Sequence, residues 1–265
     1  MDKIVHRTKP NKKSLPGFFE PTIEINLHPH PSIQTIPGFS SDDAVILTNI
    51  LSKDVCNKLI DYMHTSDNFE SVGVQGMIDN EDKKIGSLRT SIWTPNVAEQ
   101  IWDKIKTYLS IQHCDNNKAT DWWQGLCHSV ITYNNVTTYV PVAVSPLLRF
   151  MKYGKNGQHY AHYDASFIYP DNEYRSLKSM IIYLTSNDGA ATRFINDGQS
   201  DIDIWNRKHE DWNRPVTDDE IIGKSECIQG NVLIFDHRIC HDVQKYMGDD
   251  VRIIIRGDII YKLNI

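Results

Sequence analysis

The second half of this chain constrains its fold more than any other feature. From Ser129 onward, short runs rich in β-branched and aromatic residues recur between turns of Gly, Asn and Asp. The runs are His128–Tyr133, Thr137–Val144, Leu147–Tyr153, Ser179–Thr185, Ala191–Ile195, Asn231–Phe235 and Val251–Tyr261. Strands this short, with turns this frequent, close into a sandwich or a barrel. The first half reads differently. Ser52 is suited to cap a helix over residues 53–64, with Asp54 in its first turn and Val55, Leu59, Ile60 and Met63 on one face. A second helix is expected over about 97–110, where Val97, Ile101, Ile105 and Leu109 share a face and Trp102 is a core residue. Strands are expected at Phe69–Gln75 and Gly86–Trp93. The expectation is therefore a mainly β fold with flanking helices. It is divided into an N-terminal arm (1–40), a helical α/β support (41–128) and a β core (129–265), the last two forming one domain.

Within the β region lies Tyr160-Ala161-His162-Tyr163-Asp164. In an extended strand, residues two apart project to the same face, so His162 and Asp164 would stand side by side while Tyr163 points away. Taken alone, a His-x-Asp pair is common in proteins that bind no metal. A second histidine in a strand-like run, His241, completes the set of two imidazoles and one carboxylate. That set holds non-haem Fe(II) and leaves coordination positions open.

Composition removes other classes. A formal net charge of −6, with no long basic run, argues against a nucleic-acid partner. No apolar stretch reaches the roughly 20 residues of a membrane-spanning helix. The charged start, Met1-Asp2-Lys3-Ile4-Val5-His6-Arg7, lacks a signal-peptide core, so a cytoplasmic location is expected. The five cysteines, at 56, 114, 127, 227 and 240, are odd in number and form no CxxC pair, so they suggest neither a disulfide framework nor a zinc knuckle. Cys240 is expected to pack in the core. Leu27-His28-Pro29-His30-Pro31 has the look of a metal tract, but alternate prolines favour an extended arm. Residues 197–224 are polar and charged, with Trp205, Arg207, Trp212 and Arg214. Loops of this length are usually functional or mobile, and this one is a candidate lid.

The string from Leu148 to Tyr261 resembles the Fe(II)/2-oxoglutarate-dependent dioxygenases of the prolyl 4-hydroxylase-like branch. Arg149-Phe150-Met151-Lys152-Tyr153-Gly154 with Gly157, Tyr160, His162 and Asp164 looks like that branch's metal-strand motif. Tyr183-Leu184-Thr185 is similar to its YLN strand. Gly189-Ala190-Ala191-Thr192-Arg193-Phe194 looks like GGxTxF, with Ala190 in place of the second glycine. Gly230–His237 resembles GxALLFxH, with His241 following, and Gly248–Tyr261 resembles the closing GxRxxLRxDxxY. Arg89-Thr90-Ser91 matches an upstream RTS strand, and the helical part is matched only loosely.

The resemblance implies a double-stranded β-helix (jelly-roll, cupin-like) core. It implies Fe(II), 2-oxoglutarate and O2 as the working set, with ascorbate as reductant, and hydroxylation of an aliphatic C–H bond coupled to decarboxylation of 2-oxoglutarate to succinate and CO2. His162, Asp164 and His241 would be the metal ligands and catalytic centre. Related halogenases replace the acid by a small residue, so Asp164 points to hydroxylation. Arg252 is favoured for the distal carboxylate of 2-oxoglutarate, since a guanidinium offers a bidentate fork. Tyr153, Tyr183 and Thr192 would line the same pocket. Arg256 shares the parity of Arg252 and is a candidate for substrate, with Trp205 and Trp212, unless Asp258 pairs with it. The expected substrate is a small molecule, a free amino acid or a peptidyl proline, with no nucleic acid and no membrane partner. The alternatives are a nucleic-acid demethylase of the same superfamily and a non-catalytic jelly-roll binding module.

Overall fold

The computed structural model describes residues 32–39, 43–65, 69–71, 87–112, 129–132, 135–169, 173–199, 201–202 and 206–264. The Leu27–Pro31 segment, Trp205, Trp122-Trp123, Cys114 and Cys127 lie outside them. The strands are β1 (Ser32–Thr35), β2 (Ala44–Thr48), β3 (Glu70–Ser71), β4 (Ser87–Trp93), β5 (Ser129–Thr132), β6 (Asn135–Val144) and β7 (Leu147–Tyr153). They continue as β8 (His159–His162), β9 (Tyr174–Tyr183), β10 (Asn187–Ile195), β11 (Ile221–Cys227), β12 (Val232–Asp236), β13 (His241–Val243) and β14 (Arg252–Asn264). Two helices, α1 (Lys53–His64) and α2 (Pro95–Gln112), are described.

The order of pairing makes the eight strands β7–β14 a jelly roll. β12, β9, β14 and β7 run side by side in a large sheet, and β11, β10, β13 and β8 form a small one. The chain passes from one sheet to the other at almost every step, and all pairs are antiparallel. This is the closed two-sheet arrangement that protects strand edges. The large sheet is extended by β2 and β1 beyond β12, and by β4 and β3 beyond β7, while β6 pairs with the far end of β14 and β5 with β6.

Alternation along the central strands creates two cores. On β14, Ile253 and Ile255 join Leu148 and Phe150 of β7 in a cluster with Val55, Leu59 and Met63 of α1 and Ile101 and Ile105 of α2. Ile254 turns the other way and joins Met151, Ile181 and Leu233 between the two sheets. The period of two in β14 thus separates a face that binds helices from a face that lines the sandwich. Ser52 Oγ accepts from the Val55 amide and caps α1. Gly230 fastens that helix's entry to the sheet. Its carbonyl accepts from Ile50 and Leu51, its φ is +87°, and a Cβ would fall 2.2 Å from the Leu51 carbonyl oxygen.

Three elements depart from the sequence expectation. β1 lies within the stretch expected to be an arm, and it pairs with β2. β2, the apolar run Ala44–Thr48, pairs with β12 and was not anticipated as a strand. β11 occupies residues 221–227, so the candidate lid's last residues are a strand of the small sheet.

Candidate metal centre

β8 ends on His162 and β13 begins on His241, and the two residues face each other in the antiparallel register. Their ring centroids are 4.3 Å apart. Asp164 lies two residues past the end of β8, where its amide donates to the His237 carbonyl at 3.1 Å. One donor atom from each of His162, Asp164 and His241 falls within 4.8 Å of the others. Among the described residues this is the one cluster that could hold a metal ion.

The histidines are set by their backbones. His162 Nδ1 is 2.7 Å from the Tyr160 carbonyl and His241 Nδ1 is 3.0 Å from the Ile239 carbonyl. A carbonyl can only accept, so each Nδ1 carries a proton, and the tautomer this fixes for the neutral ring is the one with its lone pair on Nε2. His241 Nε2 points at Asp164 Oδ2, 3.7 Å away. Burial and the neighbouring His162 push the His241 pKa down to about 3, which leaves its imidazole neutral. The edge of Phe235 fixes one side of that ring, with centroids 4.6 Å apart and planes at 68°.

Asp164 is held as an anion. Burial alone would raise its pKa, but the Arg256 guanidinium foremost outweighs burial and keeps the carboxyl well below the ordinary range. Arg256 Nη2 lies 3.0 Å from Oδ1, and the Ser179 hydroxyl donates to Oδ2. Arg256 Nη1 also reaches Asp258 Oδ1 at 3.0 Å, and Asp258 is shared with Arg149 at 3.1 Å and His237 at 3.3 Å. Arg256 is therefore not left over for substrate in this arrangement. It joins Asp164 to a buried ionic network on the inner face of the large sheet.

Arg252 lies four residues before Arg256 on the same face of β14 and is fully buried. It lies between two phenol rings, 5.2 Å from the centroid of Tyr153 and 5.8 Å from that of Tyr183. Nη2 donates to Thr192 Oγ1 at 3.1 Å. Nε and Nη1 are buried without a hydrogen-bond partner. A buried guanidinium with two unmet donors is costly, and it marks a place that an anion completes. Burial raises both tyrosines to about 12 against the pull of Arg252, so their hydroxyls are protonated donors. Tyr183 bonds Thr192 at 3.1 Å and Ser225 Oγ at 3.0 Å.

Several neighbours were not anticipated from sequence. His159 stacks on His162 with centroids 3.8 Å apart and planes at 24°. Ser179 and Ser225 sit on strands read only as apolar runs or as loop. The signal for Ser179 was present, since a serine entering a buried strand needs a partner. Trp212 packs with Val216 and Tyr163 against Ala161 and Cys240, and Arg214 lies over its ring at 4.4 Å. Asp242, next to His241, turns to the other face and pairs with Arg193.

No protein-family model and no curated protein sequence matches this chain. Among solved structures, it is similar to a Pseudomonas putida prolyl-4-hydroxylase at 17% identity, covering 82% of this chain and 92% of that one, with a TM-score of 0.44. It is also similar to the viral collagen prolyl hydroxylase of Paramecium bursaria Chlorella virus-1 in complex with 2-oxoglutarate, at 15% identity, 80% and 92% coverage and a TM-score of 0.40. A third is HygX of Streptomyces hygroscopicus with nickel, 2-oxoglutarate and hygromycin B, at 9% identity, 83% and 82% coverage and a TM-score of 0.41. The chemistry assigned to this site rests on its own donors and distances.

Proposed function

We propose that this chain is an Fe(II)- and 2-oxoglutarate-dependent oxygenase that hydroxylates an aliphatic carbon of a small molecule, an amino acid or a peptidyl proline. The observation that carries this reading is the pairing of two unmet sites inside one sandwich. A His-Asp-His donor set lies at one place, and a buried Arg252 with two unpartnered donors lies further along the same inner face.

The residues fit the implied groups. Neutral His241 and anionic Asp164 meet a divalent cation without first losing a proton. One carboxylate and two imidazoles are the donor set suited to non-haem iron with positions left open. Arg252, Tyr153, Tyr183 and Thr192 offer a cation and neutral hydroxyls to a distal carboxylate, as 2-oxoglutarate requires. Iron, 2-oxoglutarate and O2 together supply C–H oxidation, with 2-oxoglutarate leaving as succinate and CO2. This chain's residues bind and orient. Arg256 and Ser179 fix the Asp164 carboxylate, Phe235 and His159 fix the two imidazoles, and Ile181, Leu233 and Ile254 keep the interior between them apolar.

The test is conversion of 2-oxoglutarate to succinate by the full chain with Fe(II), O2 and ascorbate, with and without candidate amino acids and proline peptides. Turnover is expected, and His162→Ala, Asp164→Ala or His241→Ala should each abolish it. Absence of both succinate formation and Fe(II) binding in the unsubstituted protein would overturn the reading.

A further inference from the structure

β8 carries His162 but is an edge strand, paired within its sheet only to β13. An edge strand held on one side frays more readily than a central one, because half of its backbone groups have no strand to meet. Here the other side is met by the segment between β10 and β11. The Trp212 amide donates to the Ala161 carbonyl at 2.8 Å, one residue before the first metal-site histidine.

The same segment grips Tyr163, the residue between His162 and Asp164. Its hydroxyl donates to Asp197 Oδ2 at 2.6 Å, and its ring stacks on His209 with centroids 4.7 Å apart and planes at 13°. Gln199 Nε2 bonds both the Tyr163 hydroxyl and Asp197, and also the Lys208 carbonyl, so its amide joins the two arms of the loop. The loop is closed at its base by the Asn196 amide to the Glu220 carbonyl at 2.8 Å. Beneath it, Trp212, Val216 and Ile221 pack on Ala161, Ile195 and Cys240, on the side of β8 away from the ligand atoms.

We propose that residues 196–199 and 206–220 form a brace that holds the His162-Tyr163-Asp164 stretch in the geometry that binds metal, with Tyr163 and Asp197 as its positioning residues. Tyr163 projects to the face opposite the two ligands, so a single ring held from outside sets the spacing of both. The inference rests on the reading that His162, Asp164 and His241 bind a metal.

The experiment titrates Co(II) into the full chain by calorimetry and by visible absorption. Unsubstituted protein is compared with Tyr163→Ala, Tyr163→Phe and Asp197→Asn, and folding is checked by thermal unfolding without metal. Loss of support behind a ligand typically costs about 10- to 100-fold in metal affinity. Tyr163→Ala is expected to lose affinity by about that factor and to change the Co(II) spectrum. Tyr163→Phe and Asp197→Asn, which keep the ring and its packing, are expected to lose several-fold less. In all three, 2-oxoglutarate binding at saturating Co(II) stays unchanged, since the contacts of Arg252 are with Tyr153, Tyr183 and Thr192 and not with the brace. Folded variants with the unsubstituted affinity and spectrum would overturn the brace alone. So would variants that change only the concentration of substrate needed. An unsubstituted chain that binds no Co(II) would overturn the metal reading and the brace with it.

Discussion

Two arginines on one face of β14 have opposite fates, and their neighbours decide which. Arg252 meets two phenols and a threonine and keeps two donors unmet, whereas Arg256 meets two carboxylates. Sequence parity placed both inside the sandwich and named Asp258 as a partner for Arg256. It did not show that Asp164 would be the second partner, because that contact joins residues 92 positions apart through the sheet interior. The difference separates the two experimentally. Arg252→Met is expected to raise the 2-oxoglutarate concentration for half-maximal turnover by tenfold or more, on the order of 1.4 kcal/mol or more of lost binding, with metal affinity unchanged. Arg256→Met is expected to weaken the metal first, because it frees one oxygen of Asp164. Calorimetry with Mn(II), followed by 2-oxoglutarate on the loaded protein, reads both quantities. If Arg256→Met raised the 2-oxoglutarate requirement and left Mn(II) affinity intact, the two roles would be reversed.

At the scale of elements, periodicity identified what it is able to report. The helix capped by Ser52, the second helix, and most strands from β4 to β14 lie where alternation and turn residues put them. β2 was missed because four consecutive apolar residues before Thr48 carry no alternation, a pattern that a buried strand shares with other buried segments. β11 was missed because its inward residues, Ser225 and Cys227, alternate with exposed Ile222, Lys224 and Glu226, so its polarity resembles that of a loop. The sequence could show that residues 197–224 were too long for a simple turn, but not which side of β8 they cover. α1 packs on the large sheet's other face, in the core with Ile253 and Ile255, and its cap can be tested apart from the chemistry. Ser52→Ala removes the bond to the Val55 amide and should cost about 1 kcal/mol of stability. Urea unfolding should report that loss, with succinate formation unchanged at temperatures well below the transition. A loss of activity without a loss of stability would mean that Ser52 acts on the site directly.

The whole molecule is tied together at one buried ionic network, and this gives its stability a defined response to acid. Asp258 on β14 joins Arg149 of β7, Arg256 of its own strand and His237 after β12. Burial would raise the Asp258 pKa, but Arg256, His237 and Arg149 overcome it and hold the carboxyl well below 3.8. An unfolded aspartate titrates near 3.9, so below about pH 4 the unfolded chain takes up a proton that the folded chain does not. The network's contribution is therefore complete above about pH 4 and is lost as the pH falls below it. His241 adds a separate decline. Its folded value of about 3 lies under the ordinary histidine value of 6.5, so the unfolded chain gains a proton there from about pH 6.5 downward. The two are resolved by comparing the unsubstituted protein with Asp258→Asn, because the His241 decline is common to both and cancels in the difference. At pH 7 the variant leaves Arg149 and Arg256 short of a buried partner, and it should be less stable by about 3–5 kcal/mol. That gap should stay level from pH 7 to about 4.5 and narrow at lower pH, as the unfolded form of the unsubstituted protein takes up a proton at Asp258 that its folded form does not. Urea unfolding of both proteins across pH 3–7 checks this. A gap that stays constant to pH 3 would mean that Asp258 contributes through packing and hydrogen bonding and not through its charge.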